Sequence, residues 1–228
     1  MDGLAVKRRL RVLVVDDHDL FRTGLRALLE EEGFEVADST SAEAAIRRLA
    51  SFAPDVVVMD LNMPGMSGVE ATPVVLDAAP DAFVLMLTID TDDGRVLDAV
   101  HAGASGYLRK DAELAEIVSG IRAVAAGMGA LAPDVAAAVL RSVRTNPPRA
   151  DDEQPKPVLT LSSREREVLA LLTRGCDNGD IARRLFVSPS TVKHHVSRLL
   201  EKIGAGNRVQ AATFAVRTGL HDGTDPSA

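Results

Sequence analysis

Three aspartates stand where they could bind a metal ion together. Asp16 and Asp17 directly follow one short apolar run, and Asp60 directly follows another. Because the carboxyl ends of parallel strands meet at one edge of a sheet, we expect the three carboxylates to converge there. Clustered anions need a compensating cation, and Mg²⁺ prefers carboxylate, water and phosphate oxygens. An aspartate pair alone would equally fit a helix cap, but the third aspartate favours a Mg²⁺ site.

Two further residues at strand ends suit the handling of a phosphoryl group. Thr88 ends a fourth apolar run with a hydroxyl that can donate to a phosphoryl oxygen. Lys110 follows the fifth run with an ammonium that can neutralise developing negative charge. Either residue alone would be an ordinary solvated strand end. Together with the carboxylates they predict chemistry on a phosphoryl group.

The apolar runs themselves predict a parallel sheet. Short runs rich in β-branched residues alternate with amphipathic stretches, which is typical of an α/β domain with helices on both sides of the sheet. The predicted strands are Arg11–Val15, Glu35–Ala37, Val56–Met59, Ala82–Leu87 and Gly106–Leu108. We therefore expect a doubly wound, five-stranded parallel sheet in the first half of the chain.

A proline-rich segment separates this half from the rest. Residues 145–157 contain four prolines and no apolar periodicity, which indicates a linker. Before it, Pro133–Val143 has a helical pattern and is expected to be a connecting helix. The pattern of residues 158–220 predicts a small all-α domain of four helices.

Capping residues mark the starts of these four helices. Ser162 and Glu165 form a capping box, Asn178 is the expected cap of the second helix, Ser188 precedes the proline that opens the third, and Asn207 begins the fourth. Two short helices joined by a tight turn inside such a unit are typical of a helix-turn-helix.

Charge and composition narrow the choice of partners. The net charge of the 228 residues is −7, yet residues 1–128 contain 22 acidic and 12 basic residues, while residues 158–220 contain 5 acidic and 10 basic ones. Positive charge concentrated in one segment indicates contact with nucleic acid. No apolar run approaches the ~18 residues that a membrane span needs, and a single cysteine forms no internal disulfide. We expect a cytoplasmic protein without a membrane partner.

Residues 10–128 resemble the receiver domain of two-component response regulators, through the motifs Val14–His18, Met59–Gly68, Leu87–Thr88 and Gly103–Lys110. The resemblance implies a flavodoxin-like sheet of order 2-1-3-4-5 and a sensor histidine kinase that phosphorylates Asp60. By the resemblance, Mg²⁺ would be bound directly by Asp17, Asp60 and the Asn62 carbonyl and through water by Asp16. Thr88 and Lys110 would hold the phosphoryl oxygens. Tyr107 would turn inward when Thr88 moves. His18 is expected only to lead into the first helix.

Residues 158–220 resemble the LuxR-type helix-turn-helix, through the motifs Leu161–Leu172, Ser188–His195 and Asn207–Ala211. On the third helix Lys193, His194 and Ser197 lie opposite the apolar positions, and the resemblance makes them candidates for contact with bases. It also implies phosphate contacts by Ser190, Thr191 and Arg198 and a dimer face of Val209, Ala212 and Val216. A basic residue often follows the family's Asn at position 178; here Gly179 and Asp180 stand there, which predicts modest DNA affinity.

Together the resemblances indicate a response regulator of the NarL/FixJ type. It would be a transcription factor, and not an enzyme beyond slow self-phosphotransfer and autodephosphorylation. Residues 129–157 would join its two domains, and phosphorylation would free or dimerise the DNA-binding one. Promoter DNA and RNA polymerase are the further expected partners.

Two alternatives stay open at this point. In the first, the receiver is only a docking module and DNA binding does not depend on phosphorylation. In the second, the protein is a Mg²⁺-dependent phosphohydrolase with Asp60 as nucleophile. Enzymes of that kind place an acid two residues after the nucleophile, whereas this chain has Asn62, which argues against turnover.

One departure from the receiver pattern lies beside the predicted phosphoryl site. Ile89 follows Thr88 at a position where a small residue is common. Its bulk would hinder an attacking water or a small phosphodonor. We therefore predict slow loss of a phosphoryl group from Asp60.

A second departure concerns the helix after the third strand. Ser67 and Glu70 could cap it, but Pro73 would then stand inside the helix. The alternative is that Thr72 caps the helix and Pro73 occupies its first turn. The sequence leaves both arrangements open.

Overall fold

The computed structural model describes residues 8–89, 93–133, 135–137, 161–218 and 220. Its first part contains a sheet of six parallel strands in the order β2-β1-β3-β4-β5-β6. The strands are β1 Arg11–Val15, β2 Glu35–Ser39, β3 Val56–Met59, β4 Phe83–Thr88, β5 Gly106–Arg109 and β6 Ala130–Leu131. The predicted order 2-1-3-4-5 is confirmed, and β6 lies outside β5.

The sixth strand corrects the prediction of five. β6 is two residues long and pairs with Gly106 and Tyr107 of β5. A segment of that length shows no strand pattern in a sequence. Ala132 and Val135, which follow it, belong to the same apolar core as the sheet. The packed receiver therefore continues beyond residue 128.

Five helices accompany this sheet and cover its two faces. They are α1 Asp19–Glu31, α2 Ala42–Phe52, α3 Gly68–Ala78, α4 Asp93–His101 and α5 Leu114–Ala125. All four residues of β3 and the last four of β1 are buried, as expected for strands covered on both faces. Polar side chains are thereby confined to the strand ends, and this confinement produces the site described below.

The start of α3 decides between the two arrangements that the sequence left open. Ser67 and Glu70 form a complete capping box, so the helix begins at Gly68 and Pro73 stands inside it. Thr72 does not cap the helix: its hydroxyl donates to the Gly68 carbonyl at 2.7 Å. The capping box satisfies two backbone donors and so stabilises the first turn. The helix therefore tolerates the loss of the one backbone hydrogen bond that Pro73 cannot donate.

The second part is a four-helix domain with its own apolar core. Its helices are α6 Ser163–Thr173, α7 Asn178–Leu185, α8 Pro189–Ile203 and α9 Arg208–Thr218. The predicted caps Ser162 and Ser188 are confirmed, and the Asn207 side chain accepts from the Gln210 amide at 2.8 Å. The expected cap Asn178 is wrong, because the Asp177 carboxylate accepts from the Asp180 amide and caps α7.

The segment between the two domains falls mostly outside the described residues. This is true of the whole predicted linker, residues 145–157, and of most of the predicted connecting helix Pro133–Val143. Among the helices that are described, none has the length and apolar character needed to cross a membrane.

Glu165 ties α6 to α8 and should make the stability of this domain depend on pH. Its carboxylate lies 2.7 Å from the Lys202 ammonium and accepts from the Ser162 amide at 2.8 Å. The Lys202 ammonium, more than the capping bonds, lowers the pKa of Glu165 from 4.5 to about 2 against the opposing effect of burial. The stabilisation is therefore complete above about pH 4.5 and disappears as the pH falls towards 2.

We predict that Glu165→Gln destabilises the four-helix domain by about 2 kcal/mol at pH 7 and by much less near pH 2.5. Urea unfolding followed by the amide NMR signals of α6 measures the difference. The matched control is Glu167→Gln on the same helix, whose exposed ion pair with Arg164 should contribute under about 0.5 kcal/mol. Equal destabilisation at both pH values would contradict the assignment.

Candidate functional site

Main-chain hydrogen bonds bring the strand ends together at the carboxyl edge of the sheet. The Asp60 amide donates to the Val15 carbonyl at 2.8 Å, and the Lys110 amide donates to the Thr88 carbonyl at 2.9 Å. The ligand atoms of Asp16, Asp17 and Asp60 lie within 4.8 Å of one another. The predicted convergence of the three carboxylates is confirmed.

Lys110 lies between two of these carboxylates. Its Nζ is 2.7 Å from Asp16 Oδ2 and 2.8 Å from Asp60 Oδ2, and both carboxylates are almost fully buried. Burial raises the pKa of Asp60, with a smaller contribution from the Asp16 charge, while Lys110 opposes the rise. One ammonium thus faces a cluster of three acids, which leaves the pocket short of positive charge.

The donor set fits a Mg²⁺ ion. Within the described part of the chain, no hydrogen bond reaches the buried Oδ1 of Asp17 or Oδ2 of Asp60, although the latter forms the ion pair with Lys110. Buried acceptors without donors are costly, and a cation would satisfy them. The Asn62 amide donates to Asp60 Oδ1 at 3.3 Å, which places the Asn62 backbone beside the cluster.

Gly68 is a site residue that the sequence analysis did not single out. A side-chain Cβ at this position would lie 2.2 Å from the Asp60 carbonyl oxygen, so only glycine allows α3 to begin against the loop that follows β3. The Gly68 amide also donates to the Leu61 carbonyl at 3.0 Å. The signal in the sequence was its place at the end of the motif that begins at Met59.

Thr88 and Tyr107 occupy neighbouring strands. Thr88 is the last residue of β4 and is fully buried, and Tyr107 of β5 pairs with Met86. Only 1% of Tyr107 is exposed, so its ring already lies inward in this structure. An inward turn of Tyr107 is therefore not available from this conformation, and the switch role of the two residues stays a prediction.

His18 joins the acidic cluster, contrary to the expectation that it only leads into α1. Its Nδ1 lies 3.2 Å from Asp16 Oδ1, 3.1 Å from Asp17 Oδ1 and 4.0 Å from Asp60 Oδ2. The sequence signal was the position directly after the aspartate pair. The local bond from the His18 amide to Asp16 Oδ1 at 2.9 Å orients the ring, but only the folded sheet brings Asp60 beside it, and that is what sequence reasoning missed.

Ile89 is the residue that should govern the lifetime of a phosphoryl group on Asp60. Its side chain is 70% exposed at the end of β4, directly after Thr88. We predict that Ile89→Ala increases the rate of autodephosphorylation several-fold, because a smaller side chain admits water. The measurement is the decay of phosphorylated protein after removal of the donor, and an unchanged rate would contradict the prediction.

The third helix of the second domain, α8, has the expected core face. Val192 and Leu199 are fully buried, and the N-cap hydroxyl of Ser188 accepts from the Thr191 amide at 3.1 Å. Of the predicted DNA contacts, five are exposed: Ser190, Thr191, His194, Ser197 and Arg198. They form a polar surface at the start and along one side of α8.

Lys193, the sixth predicted DNA contact, faces the receiver instead. Its Nζ donates to the Asp81 carbonyl at 2.7 Å, lies 3.0 Å from the Asp81 carboxylate and sits 5.2 Å from the centre of the Phe83 ring. In this arrangement the ammonium is engaged by the first domain. Sequence reasoning could not foresee this, because the helical pattern gives only the side of α8 on which Lys193 lies.

The start of α9 also contacts the receiver. Asn207 is buried, and its Nδ2 donates to the carbonyls of Val100 at 2.7 Å and Ala104 at 2.9 Å. Gln210 Nε2 donates to the same Val100 carbonyl at 2.6 Å. These carbonyls lie at the end of α4 and in the loop before β5. Asn207 therefore both caps α9 and binds this helix to the receiver.

Arg208 adds a charged contact between the domains. Its guanidinium donates to the carbonyl of Gly127 after α5 at 2.7 Å and to that of Leu172 in its own domain at 3.1 Å. Burial lowers the pKa of Arg208. Nearby, the Asn178 amide donates to the Ala126 carbonyl at 3.2 Å. We call the contacts of Asn178, Lys193, Asn207, Arg208 and Gln210 with the receiver the interdomain contact.

The predicted dimer face lies partly beside the interdomain contact. Val216 is 56% exposed, and Val209 and Ala212 are half-buried. Val209 Cγ2 lies 3.3 Å from the position of a Cβ on Gly129, so this end of the face is close to the receiver. A second copy of the chain could not use the whole face in this arrangement.

Comparison with known protein families agrees with both domains. Residues 12–122 match the response regulator receiver domain, and residues 159–215 match the bacterial regulatory proteins of the luxR family. The chain is 36% identical over 216 residues to the transcriptional regulatory protein LnrK of Bacillus subtilis, covering 92% of this chain and 98% of LnrK. It is 39% identical over 208 residues to the DNA-binding transcriptional activator DevR/DosR of Mycobacterium tuberculosis, covering 90% and 94%.

Solved structures agree with the fold. A LuxR-family two-component response regulator from Aurantimonas sp. SI85-9A1 is 37% identical with a TM-score of 0.56, over 61% of this chain and all of that one. The RcsB response regulator of Salmonella typhimurium shows the fold alone, with 20% identity and a TM-score of 0.53 over 92% of this chain and 99% of that one.

Fold, site and comparisons define a receiver joined to a helix-turn-helix. The chain belongs to the two-component response regulators of the NarL/FixJ type. It is a phosphorylatable, DNA-binding regulator of transcription, and its receiver implies a histidine kinase as partner.

Proposed function

We propose that phosphorylation of Asp60 breaks the interdomain contact and so frees the DNA-binding domain. The proposal divides the chain into a receiver at 10–128, a connecting segment at 129–157 whose first residues pack on the receiver core, and a DNA-binding domain at 158–220. One observation carries the proposal: the receiver that holds Asp60 in an acidic pocket also binds Lys193 and Asn207 of the DNA-binding domain. A change of charge at Asp60 can then control whether the DNA-binding domain stays bound to the receiver.

The pocket is arranged for transfer of a phosphoryl group to Asp60. A carboxylate oxygen of Asp60 attacks the phosphorus of a phosphohistidine, the P–N bond breaks with its electron pair leaving on the imidazole, and an acyl phosphate forms. Lys110, already 2.8 Å from Asp60, and the hydroxyl of buried Thr88 would hold the phosphoryl oxygens. Mg²⁺ held by Asp16, Asp17, Asp60 and the Asn62 carbonyl would neutralise charge on those oxygens.

Helix α4 offers a route from this pocket to the interdomain contact. Near its start, Arg95 Nη1 donates to Asn62 Oδ1 at 2.5 Å, two residues beyond the phosphoacceptor. At its end, the Val100 carbonyl accepts from Asn207 and Gln210. A phosphoryl group of about two negative charges beside Asn62 would attract Arg95 and shift α4. The bonds of Val100 to α9 would then be strained or lost.

The released domain would gain two surfaces. Lys193 would join His194 and Ser197 towards the bases, with Ser190, Thr191 and Arg198 towards the phosphates of promoter DNA. The face of Val209, Ala212 and Val216 would become available to a second copy of the chain. We propose that the phosphorylated protein dimerises on promoter DNA in the cytoplasm and there acts on RNA polymerase. Its catalytic activity would be limited to slow self-phosphotransfer and autodephosphorylation.

The test combines chemistry and size on the full chain. After incubation with acetyl phosphate and Mg²⁺, mass spectrometry should locate one phosphoryl group on the peptide that contains Asp60. Size-exclusion chromatography with light scattering should show a shift from monomer towards dimer. Phosphorylation without change in shape or size would favour a receiver that serves only for docking.

A further inference from the structure

His18 holds a ring nitrogen inside the carboxylate cluster, and helix capping does not explain its position. It is the N-cap residue of α1, yet its side chain makes no capping hydrogen bond. Its backbone amide donates to Asp16 Oδ1 at 2.9 Å, which turns the ring back towards the pocket. The ring itself is 65% exposed, so Nδ1 meets the acids while the opposite edge reaches solvent.

The distances from Nδ1 match those between the ligands of an octahedral metal ion. With metal-to-ligand distances of ~2.1 Å, adjacent ligands are ~3.0 Å apart and opposite ligands ~4.2 Å apart. His18 Nδ1 lies 3.2 Å from Asp16 Oδ1, where the two atoms share a hydrogen bond in this structure, and 3.1 Å from Asp17 Oδ1. Both distances are also those of adjacent ligands, and a bound ion would replace the hydrogen bond. The 4.0 Å distance from Nδ1 to Asp60 Oδ2 is close to that of opposite ligands.

The other partners of these oxygens leave room for such an ion. Lys110 lies against Oδ2 of Asp16, on the side away from the Oδ1 that faces His18. Asp60 is 3% exposed, and its Oδ2 lies 2.8 Å from Lys110 Nζ. A carboxylate oxygen has two lone pairs, so it can contact an ammonium and a metal ion together. Among the described residues, no hydrogen bond reaches the buried Asp17 Oδ1. An ion between these atoms would satisfy Asp17 Oδ1 and would share Asp60 Oδ2 with Lys110.

We propose that His18 Nδ1 is a ligand of the cation site, and that the site therefore binds a first-row transition metal such as Mn²⁺ in preference to Mg²⁺. Mg²⁺ favours oxygen ligands alone, whereas first-row transition metals also accept an imidazole nitrogen, with an affinity that rises from Mn²⁺ through Fe²⁺ to Co²⁺. Mn²⁺ is the weakest binder of that series and is chosen as the paramagnetic probe. The inference rests on the proposed function only in using the same three carboxylates. It assigns to this chain a metal preference that those carboxylates by themselves do not provide.

Electron paramagnetic resonance of the full chain loaded with Mn²⁺ tests the proposal. Pulsed spectra should show the modulation of one directly bound ¹⁴N nucleus in the wild type and in the control His101→Gln, at an exposed histidine of α4, and none in His18→Gln. The free Mn²⁺ signal gives the Mn²⁺ affinity, and competition gives the Mg²⁺ affinity. We expect His18→Gln to weaken Mn²⁺ binding about tenfold and Mg²⁺ binding by less than about twofold.

Two results would overturn the proposal. The first is a wild-type Mn²⁺ spectrum without ¹⁴N modulation, which needs no variant and so does not depend on how His18→Gln folds. The second is an equal loss of affinity for both metals, because His18 would then only position the carboxylates. Acetyl phosphate labelling of Asp60 with Mg²⁺ distinguishes failure of the His18 ligand role from failure of the proposed function. Labelling without nitrogen coupling refutes the ligand role alone. Absence of both metal binding and labelling refutes the proposed function as well.

Discussion

Asp60→Asn is expected to abolish incorporation of a phosphoryl group by the full chain, from one group per wild-type chain to none. The amide is a poor nucleophile, and Asp60, which directly follows β3 and lies 2.8 Å from Lys110, is the nucleophile in our account. Asp16 and Asp17, although close, serve the cation in our account. Intact-mass measurement after incubation with acetyl phosphate and Mg²⁺ gives the number of groups directly.

The matched control for this substitution is Asp77→Asn, which makes the same chemical change at an exposed position on α3. It should incorporate as much phosphate as the wild type. A phosphoryl group retained by Asp60→Asn would place the phosphoacceptor elsewhere and would contradict our assignment of the site. Unchanged far-UV circular dichroism would show that the variant is folded.

Asn207→Asp should raise the DNA affinity of the unphosphorylated chain about tenfold. The carboxylate still accepts from the Gln210 amide and caps α9, but it cannot donate to the Val100 and Ala104 carbonyls, which would then face a negative charge. Leaving buried groups unpaired costs about 1–3 kcal/mol, which is enough to populate the open arrangement. The added negative charge would by itself weaken binding to DNA, so a gain can come only from release.

Binding is measured at one fixed salt concentration, on a duplex selected from a random pool by the phosphorylated wild type, because salt alone changes affinity by orders of magnitude. The control Thr213→Ala alters the same helix at a hydroxyl that bonds to Val209 of α9 itself. It should bind like the wild type. If Asn207→Asp binds no more tightly than this control, the interdomain contact does not restrain DNA binding. Lys193 is unsuitable for this test, because it serves both the contact and the proposed DNA surface.

The sequence was sufficient where a feature depends on local pattern. The buried β1 and β3 are continuous apolar runs, and the acids that end them converge because parallel strands end at one edge. The capping box of Ser162 and Glu165 spans four residues and forms as expected. Such features follow from periodicity and from chemistry within one turn or one strand.

Features that depend on tertiary contact were missed or misassigned. The two-residue β6 exists only because β5 offers an edge, and the pattern of α8 gave no sign that Lys193 would pair with Asp81 of the other domain. His18 was passed over although the bond from its amide to Asp16 is local; what the sequence did not show is that Asp60 also lies beside its ring. Pro73 suggested a later start of α3, but the capping box of Ser67 and Glu70 starts the helix at Gly68 and outweighs the proline inside it.

The most direct test of the central claim is the affinity of the full chain for one duplex, measured with and without phosphorylation at the same salt concentration. If an open minor state of 1–10% becomes dominant, affinity should rise about 10- to 100-fold in the wild type. Asp60→Asn should stay at the lower affinity under both conditions. Equal affinity of the phosphorylated and unphosphorylated wild type would contradict control of DNA binding by the receiver.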